Sequence, residues 1–202
     1  MTLTNEDSRR LLSQYEDALT ARSQGSKSKD NKLLSLDSWR LNTLSSIVRE
    51  RTPSHMTLKE LEQLMDCKLY LSASFPTIFK LTSRSRGKFR PRLKQLISSN
   101  SPTEVEQTTK EAFSLPLTSL EKILAAVKAL SVLKGVGPAT ATMILQAYSD
   151  DVPFMSDEAM LQVFNGDKTK LKYDLKTCGL FIEKIQELGK TLGEGSSTMG
   201  WQ

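Results

Sequence analysis

The sequence predicts an all-α fold, and three observations carry that expectation. Apolar residues recur at intervals of three and four along most of the chain, which places them on one face of a helix. Three helix starts carry a capping box, a hydroxyl followed three residues later by a glutamate that reaches back to the cap's own N–H. No stretch alternates with period two for long enough to form a strand. A chain of 202 residues can bury a sizeable core, and one compact unit is the default.

Taken in order, Asn5 to Arg22 sets Leu11, Leu12, Tyr15 and Leu19 at helical spacing. The run QGSKSKDNK after it is rich in Ser, Lys and Gly and has no reason to fold. Residues 1–35 are therefore expected to form a loosely attached helical arm and linker, and residues 36–192 the helical domain. From Leu36 to Arg51, Trp39, Leu44, Ile47 and Val48 recur at helical intervals, with Asp37 as the cap, until Thr52 and Pro53 end the helix. The capping boxes are Thr57 with Glu60, Ser101 with Glu104 and Thr118 with Glu121. They predict helices over Leu58 to Leu69, Pro102 to Phe113 and Ser119 to Leu133. Pro102 sits at a first helical position, where its missing donor is harmless. A last helix, Tyr173 to Leu192, carries Leu175, Leu180, Ile182, Ile185 and Leu188, and is expected to pack on the body of a monomer instead of forming a dimer seam. The stretch Tyr70 to Ser85 is apolar, Ser-rich and unlike its surroundings, and reads as an inserted loop. The tail, 193–202, reads as disordered.

Composition excludes several classes. No apolar run approaches a membrane span, and MTLTNEDSRR has no apolar stretch of the kind a secretory signal needs, so an intracellular protein is expected. Cys67 and Cys178 stand far apart and His55 is the only histidine. Neither a disulfide framework, nor a metal site, nor a Ser-His or Cys-His scheme is expected, and no cofactor is implied. The 28 Lys and Arg against 23 Asp and Glu give a net charge of +5 and a pI near 9.2, which permits a nucleic-acid partner without requiring one.

The charge is concentrated. Lys80, Arg84, Arg86, Lys88, Arg90, Arg92 and Lys94 follow one another with no acid between them. In RGKFRPRLK, Arg86, Lys88, Arg90, Arg92 and Lys94 alternate with Gly87, Phe89, Pro91 and Leu93, so an extended segment would turn the cations to one side. Such a face binds phosphate blind to sequence and with a steep salt dependence. The alternative is a solvated basic face, or arginines paired with acids such as Glu60 and Glu62.

The stretch ALSVLKGVGPATATMILQAY is the most informative. An apolar helix end is followed by a glycine-bracketed turn and a second helix with Ala141, Ile144, Leu145 and Tyr148 inward. Gly135 and Gly137 can take backbone angles closed to other residues and let a phosphate oxygen approach the main chain. Pro138 starts the next helix, whose exposed N–H groups favour an anion.

Here the sequence resembles the helix-hairpin-helix of the DNA glycosylase superfamily that includes endonuclease III and the adenine glycosylases. The matching positions are Leu133, Gly135, Val136, Gly137, Thr140 and Ala141, with Lys134 where that family has proline. The resemblance implies a DNA glycosylase-like fold with its hairpin at about 119–148, and backbone contacts to duplex DNA around Gly135, Val136, Gly137, Ala139 and Thr140. It also implies a catalytic aspartate at the start of the following helix, where Asp157 stands in VPFMSDEAM. Ala139 occupies the place of the Schiff-base lysine of bifunctional members, and the four-cysteine iron–sulfur cluster has no counterpart. A closer likeness, to a set of eukaryotic helix-hairpin-helix proteins, runs through Lys68-Leu69, Arg86 to Leu93 with Asn100, Lys134 to Ala141 and Val152 to Glu158. It brings no activity with it. In that set the Lys-Leu element runs almost straight into RGKFRPRL, which suggests that Tyr70 to Ser85 is a retained intron or a misplaced exon boundary.

Three functions remain open on the sequence. One is a DNA-binding protein, nuclear and engaged in repair, that clamps phosphates with the hairpin and the Arg86 to Lys94 segment. The second is a monofunctional DNA N-glycosylase, with Asp157 as the carboxylate that stabilises charge on the sugar as the base leaves. The third is a protein-interaction module. For Asp157 the simpler role is structural, because acids at a helix start meet the positive end of the dipole.

Overall fold

A computed structural model describes residue 10 and residues 13–24, 32–73 and 91–191, and among these the chain is all-helical, with no strand. In order the elements are α1 (Tyr15–Gln24), α2 (Lys32–Ser38), a π-helical segment (Trp39–Leu44), α3 (Ser45–Glu50), α4 (Leu58–Ala73) and α5 (Pro91–Ser98). Then come α6 (Pro102–Phe113), α7 (Leu120–Leu130), α8 (Pro138–Tyr148), α9 (Asp157–Val163), a 3-10 turn (Lys168–Lys170) and α10 (Leu175–Thr191). No helix among the described residues is long and apolar enough to cross a membrane.

The helix α8 is the hub. Every residue from Ala139 to Ala147 is buried, and the helix touches α3, α4, α6, α7, α10 and the π-helical segment. A helix buried on all sides has no solvated face, so the other elements close around it and its polar Thr140, Thr142 and Gln146 are met by hydrogen-bond partners or a carbonyl. Met143 and Ile144 from α8 join Leu44, Leu64, Ile97, Ile123, Leu130 and Phe181 in one core.

Local chemistry explains the helix starts. At α6, Ser101 Oγ accepts from Glu104 N at 3.0 Å and Glu104 Oε2 accepts from Ser101 N at 3.5 Å, with Pro102 at the first turn. At α4, Thr57 N donates to Glu60 Oε2 at 2.8 Å and Glu60 N to Thr57 Oγ1 at 3.4 Å. The third start is one residue later than expected. Ser119, not Thr118, is the cap, accepting from Lys122 N at 3.4 Å. That register buries Ile123, Ala126, Val127 and Leu130 together. The helix also stops at Leu130, three residues short of the expected end.

Elsewhere the structure corrects the expectations. The Leu36 to Arg51 helix begins at Lys32 and includes the π-helical turn. Asp37 is no cap but lies buried inside it, where its Oδ1 accepts from Arg40 Nη2 at 2.9 Å. Nor is the N-terminal arm loose. Leu19 is buried, and Tyr15 Oη donates to Asp37 Oδ2 at 2.8 Å, so α1 is docked by both an apolar and a polar contact. The expected loop from Tyr70 starts as helix. α4 runs on to Ala73, Leu71 packs against the core, and Lys32 Nζ stands 5.2 Å from the centre of the Tyr70 ring. The rest of that insert, the linker 25–31 and the tail lie outside the described residues.

Candidate nucleic-acid interface

The turn between α7 and α8 is built by a few contacts. Leu133 and Val136 are buried and hold it to the core, and Val136 N donates to Leu133 O at 3.1 Å. The main support is Asn100, just beyond α5, which is itself buried. Its Oδ1 accepts from Lys134 N at 2.8 Å while its Nδ2 donates to Lys134 O at 3.0 Å and to Ile97 O at 2.8 Å. One amide thus holds both polar groups of Lys134 and ties the turn to α5.

The two glycines differ. Gly135 has φ +81°, and a Cβ on it would meet Ile97 Cδ1 at 3.2 Å and Leu96 Cβ at 3.3 Å, so backbone and packing both require glycine. Gly137 has φ −108° and ψ 179°, extended backbone open to any residue, which corrects the expectation of a special angle there. A Cβ at Gly137 would meet nothing within 4 Å. Among the described residues the N–H groups of Gly135, Gly137 and Ala139 find no acceptor, whereas those of Thr140 and Ala141 both donate to Gly137 O at 2.9 Å.

The other expected contact residues divide. Val136, Ala139 and Thr140 are buried, and Ala139 also lines the cleft beside Asp157. Thr140 Oγ1 accepts from Lys68 Nζ at 2.6 Å. Arg92 is exposed on α5. Lys94 Nζ is held by both oxygens of Asp66 at 2.9 Å, and this hydrogen bond and charge push the Lys94 pKa up. Pro91 starts α5, so the alternation of cations expected from an extended chain ends there. Arg86, Lys88 and Arg90 lie outside the described residues.

Asp157 borders a cleft of about 430 Å³, shared with Lys68, Arg40, Phe154, Tyr173 and the buried Ala139. Ser156 caps α9, accepting from Ala159 N at 3.1 Å, and Asp157 Oδ1 accepts from Tyr173 Oη. The preceding loop is positioned by a residue that sequence reading passed over. Thr142, fully buried in α8, accepts from Met155 N at 3.1 Å. The cleft wall contains a buried polar cluster in which Arg40 donates to Asp37 and, from Nη1, to Gln146 Oε1 at 2.6 Å. Its guanidinium lies 5.9 Å from the centre of the Phe154 ring. A fully hydrogen-bonded pair of this kind tolerates burial, and removing one partner would not. Burial, with the charge and hydrogen bond of Asp37, pushes the Tyr15 phenol pKa well up. Burial also pushes the Cys67 and Cys178 thiols up to about 12, leaving both unreactive near neutrality.

Comparison of the chain with models of protein families, with curated proteins and with solved structures finds no match.

Proposed function

We propose that this chain binds duplex DNA through its backbone phosphates, at the turn Gly135 to Gly137, in the manner of helix-hairpin-helix proteins, and that it does so in the nucleus during repair. The observation that carries this reading is Gly137. Neither its backbone angles nor its packing call for glycine, and the space above it is open. A phosphate oxygen approaching the unpaired N–H groups of Gly135, Gly137 and Ala139 would benefit from the missing Cβ, and the start of α8 adds its positive dipole end. The exposed side chain of Lys134 stands at the same turn. The test is Gly137→Asp beside Gly137→Ala. Because a side chain at 137 meets no neighbour, both variants should melt with the native protein. Gly137→Asp should lose DNA binding by more than about tenfold, the effect of one opposed charge at a phosphate site, while Gly137→Ala should lose less. Unchanged binding by Gly137→Asp would remove the reading and favour a protein-interaction module.

A second reading has its own support in the cleft. Asp157 faces a space large enough for a nucleobase, whose lining includes Ala139 of α8. A carboxylate there would stabilise the positive charge on a sugar as its base leaves, the nucleotide having been flipped out of the stack. The reaction would be monofunctional, with Ala139 where a Schiff-base lysine would stand. Asp157→Asn should then abolish base release while DNA binding persists, and a protein that releases no base from any damaged duplex is the binding protein of the first reading.

A further inference from the structure

We propose that Tyr173 is the positioning residue of the cleft: its phenol holds one oxygen of Asp157 and so aims the other at a positive charge developing on the sugar. The proposal rests on the second reading above, in which Asp157 is the carboxylate that serves base release. Tyr173 Oη donates to Asp157 Oδ1, and both residues line the cleft. The two ends of this bond are fixed by separate elements. Asp157 opens α9, where Ser156 Oγ takes the N–H of Ala159 at 3.1 Å and Met160 is fully buried. Tyr173 stands between the buried Leu171 and the start of α10, where Asp174 Oδ1 accepts from Thr177 N at 2.7 Å and Asp174 O from Cys178 N at 3.0 Å. Cys178 is fully buried, so the backbone on both sides of Tyr173 is held and its ring has a fixed root.

Capping does not explain the pair. Ser156 serves the start of α9 and Asp174 the start of α10, so neither helix needs the bond between Tyr173 and Asp157 to begin. The chemistry of the donor points to the cleft instead. A carboxylate paired with Lys or Arg would have much of its charge offset, and Lys68 and Arg40 both line this space. Arg40 donates to Asp37 and Gln146, and Lys68 to Thr140. The donor to Asp157 is a neutral phenol, which fixes the rotation of the carboxylate and leaves its charge in place. As the C1′–N bond breaks, its electron pair leaves with the base and positive charge spreads over C1′ and the ring oxygen. An anion already held in position stabilises that charge without reorganising. Water then bonds to C1′ and gives a proton to the carboxylate, while the departing base takes a proton from solvent.

The test needs no knowledge of the base. The full chain is titrated by anisotropy with two duplexes that differ at one position: one carries a neutral tetrahydrofuran abasic analogue, the other a pyrrolidine analogue whose ring nitrogen is positively charged. Mimics of a transition state bind roughly a hundredfold or more tighter than ground-state counterparts, and the native protein should prefer the pyrrolidine duplex by that order. Tyr173→Phe should cut the preference about tenfold, the effect of one hydrogen bond to a charged group, and leave tetrahydrofuran affinity within about twofold. The preference is a ratio of two affinities from one preparation, so partial unfolding lowers both alike and leaves it intact. Asp157→Asn should abolish it. A preference that survives Tyr173→Phe but not Asp157→Asn would overturn the positioning role and leave the reading of Asp157 standing. A native protein that binds both duplexes equally would overturn both, and so would one that binds neither.

Discussion

Asn100 shows how one side chain can shape a site it never enters. Its amide is fully committed: the oxygen to Lys134 N, the nitrogen to Lys134 O and to the end of α5. Asn100→Ala would leave the N–H and C=O of Lys134 without these partners next to the buried Leu133 and Val136. These bonds are part-buried, so each group left unsatisfied costs toward the lower end of about 1–3 kcal/mol. We expect a loss of about 2–3 kcal/mol, which for a chain of this size lowers the melting temperature by roughly 5–10 °C. Amide exchange should quicken first at Lys134 to Gly137. A variant that melts like the native protein would mean the turn is held by Leu133 and Val136 alone. At this scale the sequence was partly legible. Two glycines in a turn are visible as letters, but that Gly135 is required by the fold and Gly137 is not depends on Leu96 and Ile97, nearly forty positions away. Thr142 was illegible for the same reason, since its partner Met155 is in a different element.

Among the elements, those defined by local chemistry were readable and those defined by distant partners were not. The starts of α4 and α6 follow from a hydroxyl, a glutamate and the three residues between them. The start of α7 slipped by one because Thr118 and Ser119 are both able caps, and only burial of Ile123 and Leu130 chooses. Asp37 looked like a cap because Tyr15, which holds its Oδ2, lies in another helix, and Arg40, three residues on, is anchored by Gln146 of α8. The cap of α4 also carries a pH dependence. Burial raises the Glu60 carboxyl pKa, but Arg51 at 2.6 Å and the Thr57 N–H outweigh it and hold the group below its ordinary 4.5. A carboxyl depressed by folding contributes stability that is present above its unfolded value and lost as pH falls through its folded one. Glu60→Gln keeps an acceptor for Thr57 N–H and removes the charge. The melting temperature of the native protein should therefore exceed that of Glu60→Gln above about pH 5, and the gap should close as pH falls below about 4. A gap that stayed constant down to pH 3 would show that the ion pair with Arg51 contributes nothing. The pair is partly exposed, so the effect is expected to be modest.

For the whole molecule, the question is which of the positive charges face outward. A net charge of +5 does not decide it, because several cations hold elements together. Arg49 pairs with Asp150 at 2.6 Å, Arg51 with Glu60 at 2.6 Å, and Lys94 with Asp66 at 2.9 Å. Lys94, counted in the basic run on sequence grounds, is therefore committed to α4. Lys134 is different: among the described residues its Nζ reaches only Ser99 O, at 3.4 Å, and it stands at the turn proposed to take phosphate. Each phosphate neutralised by a cation releases bound counterions and steepens the fall of log affinity with log salt by about 0.9. Lys134→Gln should then flatten the salt dependence of DNA binding by about 0.9, with little change in melting temperature, whereas Lys94→Gln should leave the slope alone and lower stability slightly. The two substitutions remove the same charge from the same molecule, so a general electrostatic attraction would flatten both slopes equally. That outcome would move the interface away from the hairpin and onto the overall field of the protein.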